Sequence, residues 1–285
     1  MIVKLNDYVI NDGVSPASLG NDGEIDGLEL PSIRTSSGNY SGRNGGYVGA
    51  QFFAARSIGL QGKIFSADLA TAEQARRDLQ TLLATALESQ DSITVSILTN
   101  AGHQYVIDAY LIDFQMPITG TLFSSPFQIE LMAPDPTIYD NATGSALTAT
   151  VPKLVSGGYT YPVVFPVIYT GGGSPTTITN SGDFDVYPLV TMTGAMNNPV
   201  LTNLTTSEAF SLTGLITGPG DTVVVDMNPL RRTVTLNGSS IFGLIGSSST
   251  FWSLQPGGND VTLTTPNSGD TVSALFSWRP GYLAI

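Results

Sequence analysis

Turn-forming residues punctuate the second half of this chain so often that no long helix fits between them. Gly171-Gly172-Gly173, Ser181-Gly182-Asp183, Asn197-Asn198-Pro199, Gly218-Pro219-Gly220, Asn237-Gly238 and Pro256-Gly257-Gly258 follow one another. Each combines residues that tolerate positive φ, fix φ, or bond their own backbone, which is the chemistry of turns. Between them run YPLVTMTG, AFSLTG, DTVVVDM, RTVTLNG and TVSALFSW, short segments rich in β-branched residues. Alternation in such runs sends one set of side chains inward and the other to solvent. The pattern predicts an antiparallel β-sandwich. FWSLQPGGNDVTL, residues 251–263, reads as a hairpin turning through Pro256-Gly257-Gly258-Asn259. It would gather Trp252, Leu254, Val261 and Leu263 on one buried side. Trp252 is therefore expected in the core and not as a sugar-gripping platform.

One segment departs from this rule. TAEQARRDLQTLLATALES, residues 71–89, contains neither Gly nor Pro, and predicts the one long helix of the chain. Thr71 with Gln74 reads as a capping box. Ala75, Leu79, Leu82, Leu83, Ala86 and Leu87 recur at helical spacing as an apolar stripe. Strands surround it. SITVSILT (92–99) and QYVIDAYLIDF (104–114) flank Asn100-Ala101-Gly102-His103 as a hairpin, and FQIELM (127–132) alternates. Pro134-Asp135-Pro136 then ends the strand, and small polar residues fill Asn141 to Ser145. The expected fold class is mainly β, as two antiparallel β-sandwich domains, 1–137 with the long α-helix and 138–285.

Charge and composition narrow the functions available. Asp and Glu number 23 against 11 Lys and Arg, for a net charge of −12. Residues 1–140 hold 16 of the acids and 7 of the bases. Phosphate neutralisation drives nucleic-acid affinity, so this balance opposes tight DNA binding. The longest apolar stretch, Val163 to Tyr169, is interrupted by Pro166, which argues against a transmembrane helix and membrane insertion. The opening MIVKLNDYVI lacks the charged and apolar regions of a signal peptide. Cysteine is absent, so neither disulfides nor thiolate metal ligands exist.

The chain offers little for catalysis. His103 is the single histidine, placed in a hairpin turn with no GxSxG serine to serve. GLQGK at 59–63 has the wrong spacing for a phosphate loop. Asp22, Glu24, Asp26 and Gly27 match the start of a calcium loop, but Ile33 stands where its closing glutamate belongs. Asp183 with Asp185, or Asp221 with Asp226, could pair as glycosidase carboxylates, yet nothing separates them from turn acids. The expectation is no catalytic, cofactor-binding or metal site, no cofactor, and no enzymatic activity.

In its order of motifs the chain resembles the distal tail (Dit) proteins of long, non-contractile phage tails, the siphovirus-type tail components. The first half carries this in LPSIRTSSGNYSGRNGGYVGAQFFAARSIGLQGKIF (30–65), with a Gly-Gly turn, Arg56 and a Gly-x-x-Gly hairpin. ARRDLQTLL and ELMAPDPTIYD follow in the family's order, then NSGDFDVYPLVTMTG, DTVVVDMNPLRRTVTLNG and WSLQPGGNDVTL. The resemblance implies a non-enzymatic virion protein, assembled in the host cytoplasm. It implies a homo-hexameric ring at the tail's distal end, the first domain building the ring and a galectin-like second domain projecting outward. Its implied partners are the tail tube protein, tail tip or tail-associated proteins, and receptor-binding proteins, with DNA passing through the channel unbound. A carbohydrate-binding adhesion module is the alternative, with Trp278 or Tyr282 as an exposed platform. A polysaccharide-cleaving enzyme is a third reading.

Overall fold

The structure, a computed structural model, describes residues 1–20, 25–117, 124–142, 144, 146–154 and 173–285. It is mainly β, with one long helix. Two compact units divide the chain: Met1–Ala142 together with Tyr282–Ile285, and Thr143–Gly281. The turn read at Gly171–Gly173 lies partly outside the described residues, as do Asp22 and Glu24.

The first unit contains β1 (Ile2–Leu5), β2 (Tyr8–Ile10), β3 (Ala17–Leu19), β4 (Ile25–Asp26), β5 (Ile33–Asn39) and β6 (Gly46–Phe53). β7 (Arg56–Phe65), α1 (Leu69–Ser89), β8 (Ile93–Leu98), β9 (Gln104–Gln115), β10 (Ser124–Ala133) and β11 (Ile138–Asp140) follow. Antiparallel neighbours run in the order β2-β1-β8-β9-β10-β7-β3. Strict alternation in β8 and β10 turns Ile93, Val95, Ile97, Phe127, Ile129 and Leu131 inward. Leu79 and Leu83 of α1 join the same core cluster.

Three local expectations change here. The helix begins at Leu69, capped by Asp68, whose carboxylate accepts from the Thr71 amide at 2.9 Å and its hydroxyl at 2.5 Å. One Asp68 oxygen, Oδ2, accepts both, so Thr71 is a capped residue and no Thr71–Gln74 capping box forms. The buried stripe is Ala72, Ala75, Leu79 and Leu83, while Leu87 is 63% exposed. At about 100° per residue, Leu87 drifts off the face that the earlier positions share. Gly59 and Gly62 do not mark a hairpin. Both lie inside the continuous strand β7, where a Cβ on Gly62 would stand 2.2 Å from the Ser18 carbonyl oxygen and 2.6 Å from the Phe127 ring. Close packing, not turning, requires that glycine.

The second unit comprises β12 (Leu147–Pro152), β13 (Thr176–Asn180), β14 (Leu189–Thr193), β15 (Val200–Asn203), β16 (Glu208–Ser211) and β17 (Thr222–Asp226). β18 (Thr233–Leu236), β19 (Ser239–Ser240), β20 (Gly257–Thr264) and β21 (Ser273–Trp278) complete its strands, while β22 (Gly281–Tyr282) pairs with β11 in the sheet of the first unit. One sheet runs β12-β21-β14-β17-β18-β19 and a second β13-β20-β15-β16. Asn237 and Gly238 join β18 to β19 with φ of 49° and 83°, the two positive values that a tight primed hairpin demands.

Trp252 is 1% exposed and stacks on Phe276 at 5.8 Å. Leu254, Val261 and Leu263 are buried with it. The hairpin expected to carry them is not there. Leu254 bridges Val186, while β20 pairs with β13 and β15. Asn259 explains the difference. Its side chain accepts from the Gln255 amide at 3.0 Å and donates to the Gln255 carbonyl at 2.8 Å. That ties a sharp local turn, and the chain before it leaves for another strand.

Candidate functional site

Several residues that the sequence put forward for chemistry are held by turns and caps. His103 is exposed at the β8–β9 turn, its amide and carbonyl both held by Thr99. Asp221 binds the Gly218 amide and the Asn237 side chain, and Asp226 lies 3.2 Å from Arg231. They sit just before β17 and at its far end, each tied to its own turn, and form no catalytic pair. Asp185 accepts from the Ser253 hydroxyl at 3.1 Å. Gly27 gives its amide to Glu29 and its carbonyl to Arg56. Among the described residues, no three His, Cys, Asp or Glu side chains gather to hold a metal ion. Trp278 is 7% exposed, and Tyr282 packs edge-on against Tyr105 at 5.7 Å. Neither stands as an open sugar platform.

Groups with displaced proton affinities tell the same story. The Thr71 hydroxyl and amide hold the Asp68 carboxyl below its ordinary range. Asn237, then the Gly218 amide, does so for Asp221. Bonds to the Ser15 amide and hydroxyl lower Asp12 to about 2. Burial, then Asp78, pushes the Tyr8 hydroxyl up to about 12. Each shift has a cap, a turn or burial as its cause, and none converges on a cleft with a second reacting group. A concavity of about 490 Å³ is bordered by Gly20, Gln61, Gly62, Lys63, Gln115, Pro117, Pro126, Phe127 and Gln128. Lys63 is the sole charge among these residues.

What the first unit does present is exposed apolar and cationic surface. Among the described residues, β5 and β6 pair only with each other, as a two-stranded sheet outside the main one. Every residue of β5 except Gly38, and of β6 except Phe53, is exposed. Two strands alone cannot bury an apolar face, and this pair exposes Ile33, Tyr47, Val48 and Phe52. From Pro31 to Ala55 the sequence holds two arginines and no acid. Arg34 lies over the Phe52 ring at 5.8 Å, and Arg43 over Tyr40 at 3.8 Å. The sequence did signal this, through an acid-free stretch in an acidic half.

The outward face of β9 and β10 has the opposite character. Tyr110 and Met132 are cross-strand partners, Ile112 follows at a bulge, and all three are exposed. Glu130 stands directly opposite Asp113. Like charges so placed repel, and among the described residues no salt bridge reaches either one.

Comparison with known proteins follows this geometry. Residues 181–282 match the family of the siphovirus-type tail component, C-terminal domain. No curated protein matches the chain. The crystal structure of the SPP1 Dit protein superposes with a TM-score of 0.61 at 14% identity, covering 90% of this chain and 91% of that one. Two structures of the phage p2 baseplate in its activated conformation, with Ca and with Sr, each give 0.47. Their identities are 13% and 14%, and they cover 90% and 88% of this chain and 89% and 88% of theirs. Residues 181–282 thus match the C-terminal domain of the siphovirus-type tail component, in a chain whose fold is that of the SPP1 Dit protein.

Proposed function

We propose that this chain is a non-enzymatic structural protein of a phage tail, forming a hexameric hub ring at the distal end of a long non-contractile tail. The observation that carries the proposal is the exposed β5–β6 arm. A single copy leaves its apolar and cationic surfaces without a core, and another subunit would supply one. A ring is a heterologous interface that closes, so each copy presents two different patches. The arm and the β9–β10 face are two such patches in one unit. In this reading the first unit builds the ring and the second points outward toward tail tip and receptor-binding proteins, with the tail tube on the other side. SPP1 Dit, described as a paradigm of the hub adsorption apparatus of phages infecting Gram-positive bacteria, supports the assignment. The acid excess of the first unit suits a channel from which passing DNA is repelled.

Light scattering and negative-stain imaging of the purified chain test this. The expected result is a six-fold ring with a central hole. A monomer of 29.9 kDa at all concentrations contradicts it.

A further inference from the structure

We propose that the β5–β6 arm of one copy lies across the outward face of β9 and β10 of the next, placing its arginines against Asp113 and Glu130. The proposal rests on the ring reading above and names the contact that closes it.

Complementarity selects a second copy of this chain as the occupant. The arm is the acid-free part of an acidic unit. Its two arginines lie over aromatic rings, and no salt bridge among the described residues reaches them. An arginine over a ring keeps its planar edge free for a carboxylate. The β9–β10 face supplies the reverse, two opposed carboxylates beside Tyr110, Ile112 and Met132. Asp113 accepts a bond from Gln115 at 2.9 Å, which leaves its second oxygen available. A cation from outside would relieve the repulsion between Glu130 and Asp113. Phe52, Val48 and Ile33 would meet the apolar trio in the same contact. Docking therefore satisfies charge and apolar area together, as a mixed interface requires. The two patches lie on different elements, so the contact is head-to-tail, and a repeated rotation closes it.

Charge reversal in the full-length chain tests the pairing. R34E/R43E and D113R/E130R should each dissociate the oligomer toward the 29.9 kDa monomer, and the four changes together should restore it. All positions are exposed, so thermal melting of each variant should stay near wild type. An assembling wild type whose oligomer survives both reversals overturns the arm contact and leaves the ring reading standing. A second measurement does not depend on ring closure. The chain lacks cysteine, so Phe52→Cys and Met132→Cys each introduce a single thiol. Mixed under mild oxidation, the two variants should form a disulfide heterodimer well above what either forms alone. No such excess overturns the arm contact. A monomeric wild type that still gives the heterodimer overturns the ring and keeps the contact.

Discussion

At the scale of single residues, Arg56 ties distant segments of the first unit together. It is 2% exposed, and donates to the carbonyls of Pro136 (2.9 Å), Gly27 (2.5 Å), Glu29 (2.6 Å) and Leu283 (2.6 Å). Burial lowers its proton affinity, with Glu29 opposing that shift. Replacing it with Met should cost about 3–5 kcal/mol, because several buried acceptors lose a charged donor together. Arg56→Lys should recover little, since an ammonium cannot reproduce the planar fork. Urea unfolding of the variants measures both. Trp252 makes a contrasting case. Its indole nitrogen has no hydrogen-bond partner among the described residues. Trp252→Ala should cost about 3–5 kcal/mol, whereas Trp252→Phe should cost clearly less, losing volume but no bond. A Phe variant as unstable as the Ala variant would mean that the indole N–H contributes.

At the scale of elements, the sequence was readable where one period dominates. β8, β9 and β21 fall close to their expected bounds because alternation and flanking turns agree there. It was not readable where a side chain redirects the backbone, as Asn259 does, or where a glycine serves close packing, as Gly62 does. The β5–β6 pair shows a further limit, because no apolar alternation marks strands with no buried face. Gly62→Ala should therefore destabilise by about 1–3 kcal/mol through forced displacement of Ser18 and Phe127. Gly59→Ala, whose Cβ would find its nearest neighbour at 3.4 Å, should be far milder. The helix cap supplies a pH test. Asp68 has a folded proton affinity below its ordinary 3.8, so its stabilisation is present above that pH. It fades as pH falls through the lower folded value. The stability gap between wild type and Asp68→Ala should stay constant from pH 7 to 5 and narrow toward pH 2, by circular dichroism melting.

At the scale of the whole molecule, the two units are unequal in sequence logic. The second is one continuous run, Thr143–Gly281, inserted into the first. Residues 282–285 complete the first unit, with Leu283 bound by Arg56 and the Ile285 amide donating to the Leu28 carbonyl at 3.2 Å. Deleting 282–285 should lower the unfolding midpoint of the first unit and leave that of the second unchanged. Limited proteolysis followed by mass spectrometry distinguishes the two, and equal loss in both would refute the assignment. A fragment ending at residue 142 should be similarly weakened.

That insertion also sets a timetable for synthesis. Folding on the ribosome generally proceeds from the first domain made, but here the first unit waits for segments translated after the entire second one. Until Leu283 emerges, Arg56 lacks one of its four acceptors. A chain cut short anywhere in translation of the second unit therefore cannot complete the first. The order of codons itself delays completion of the first unit until the second has been made.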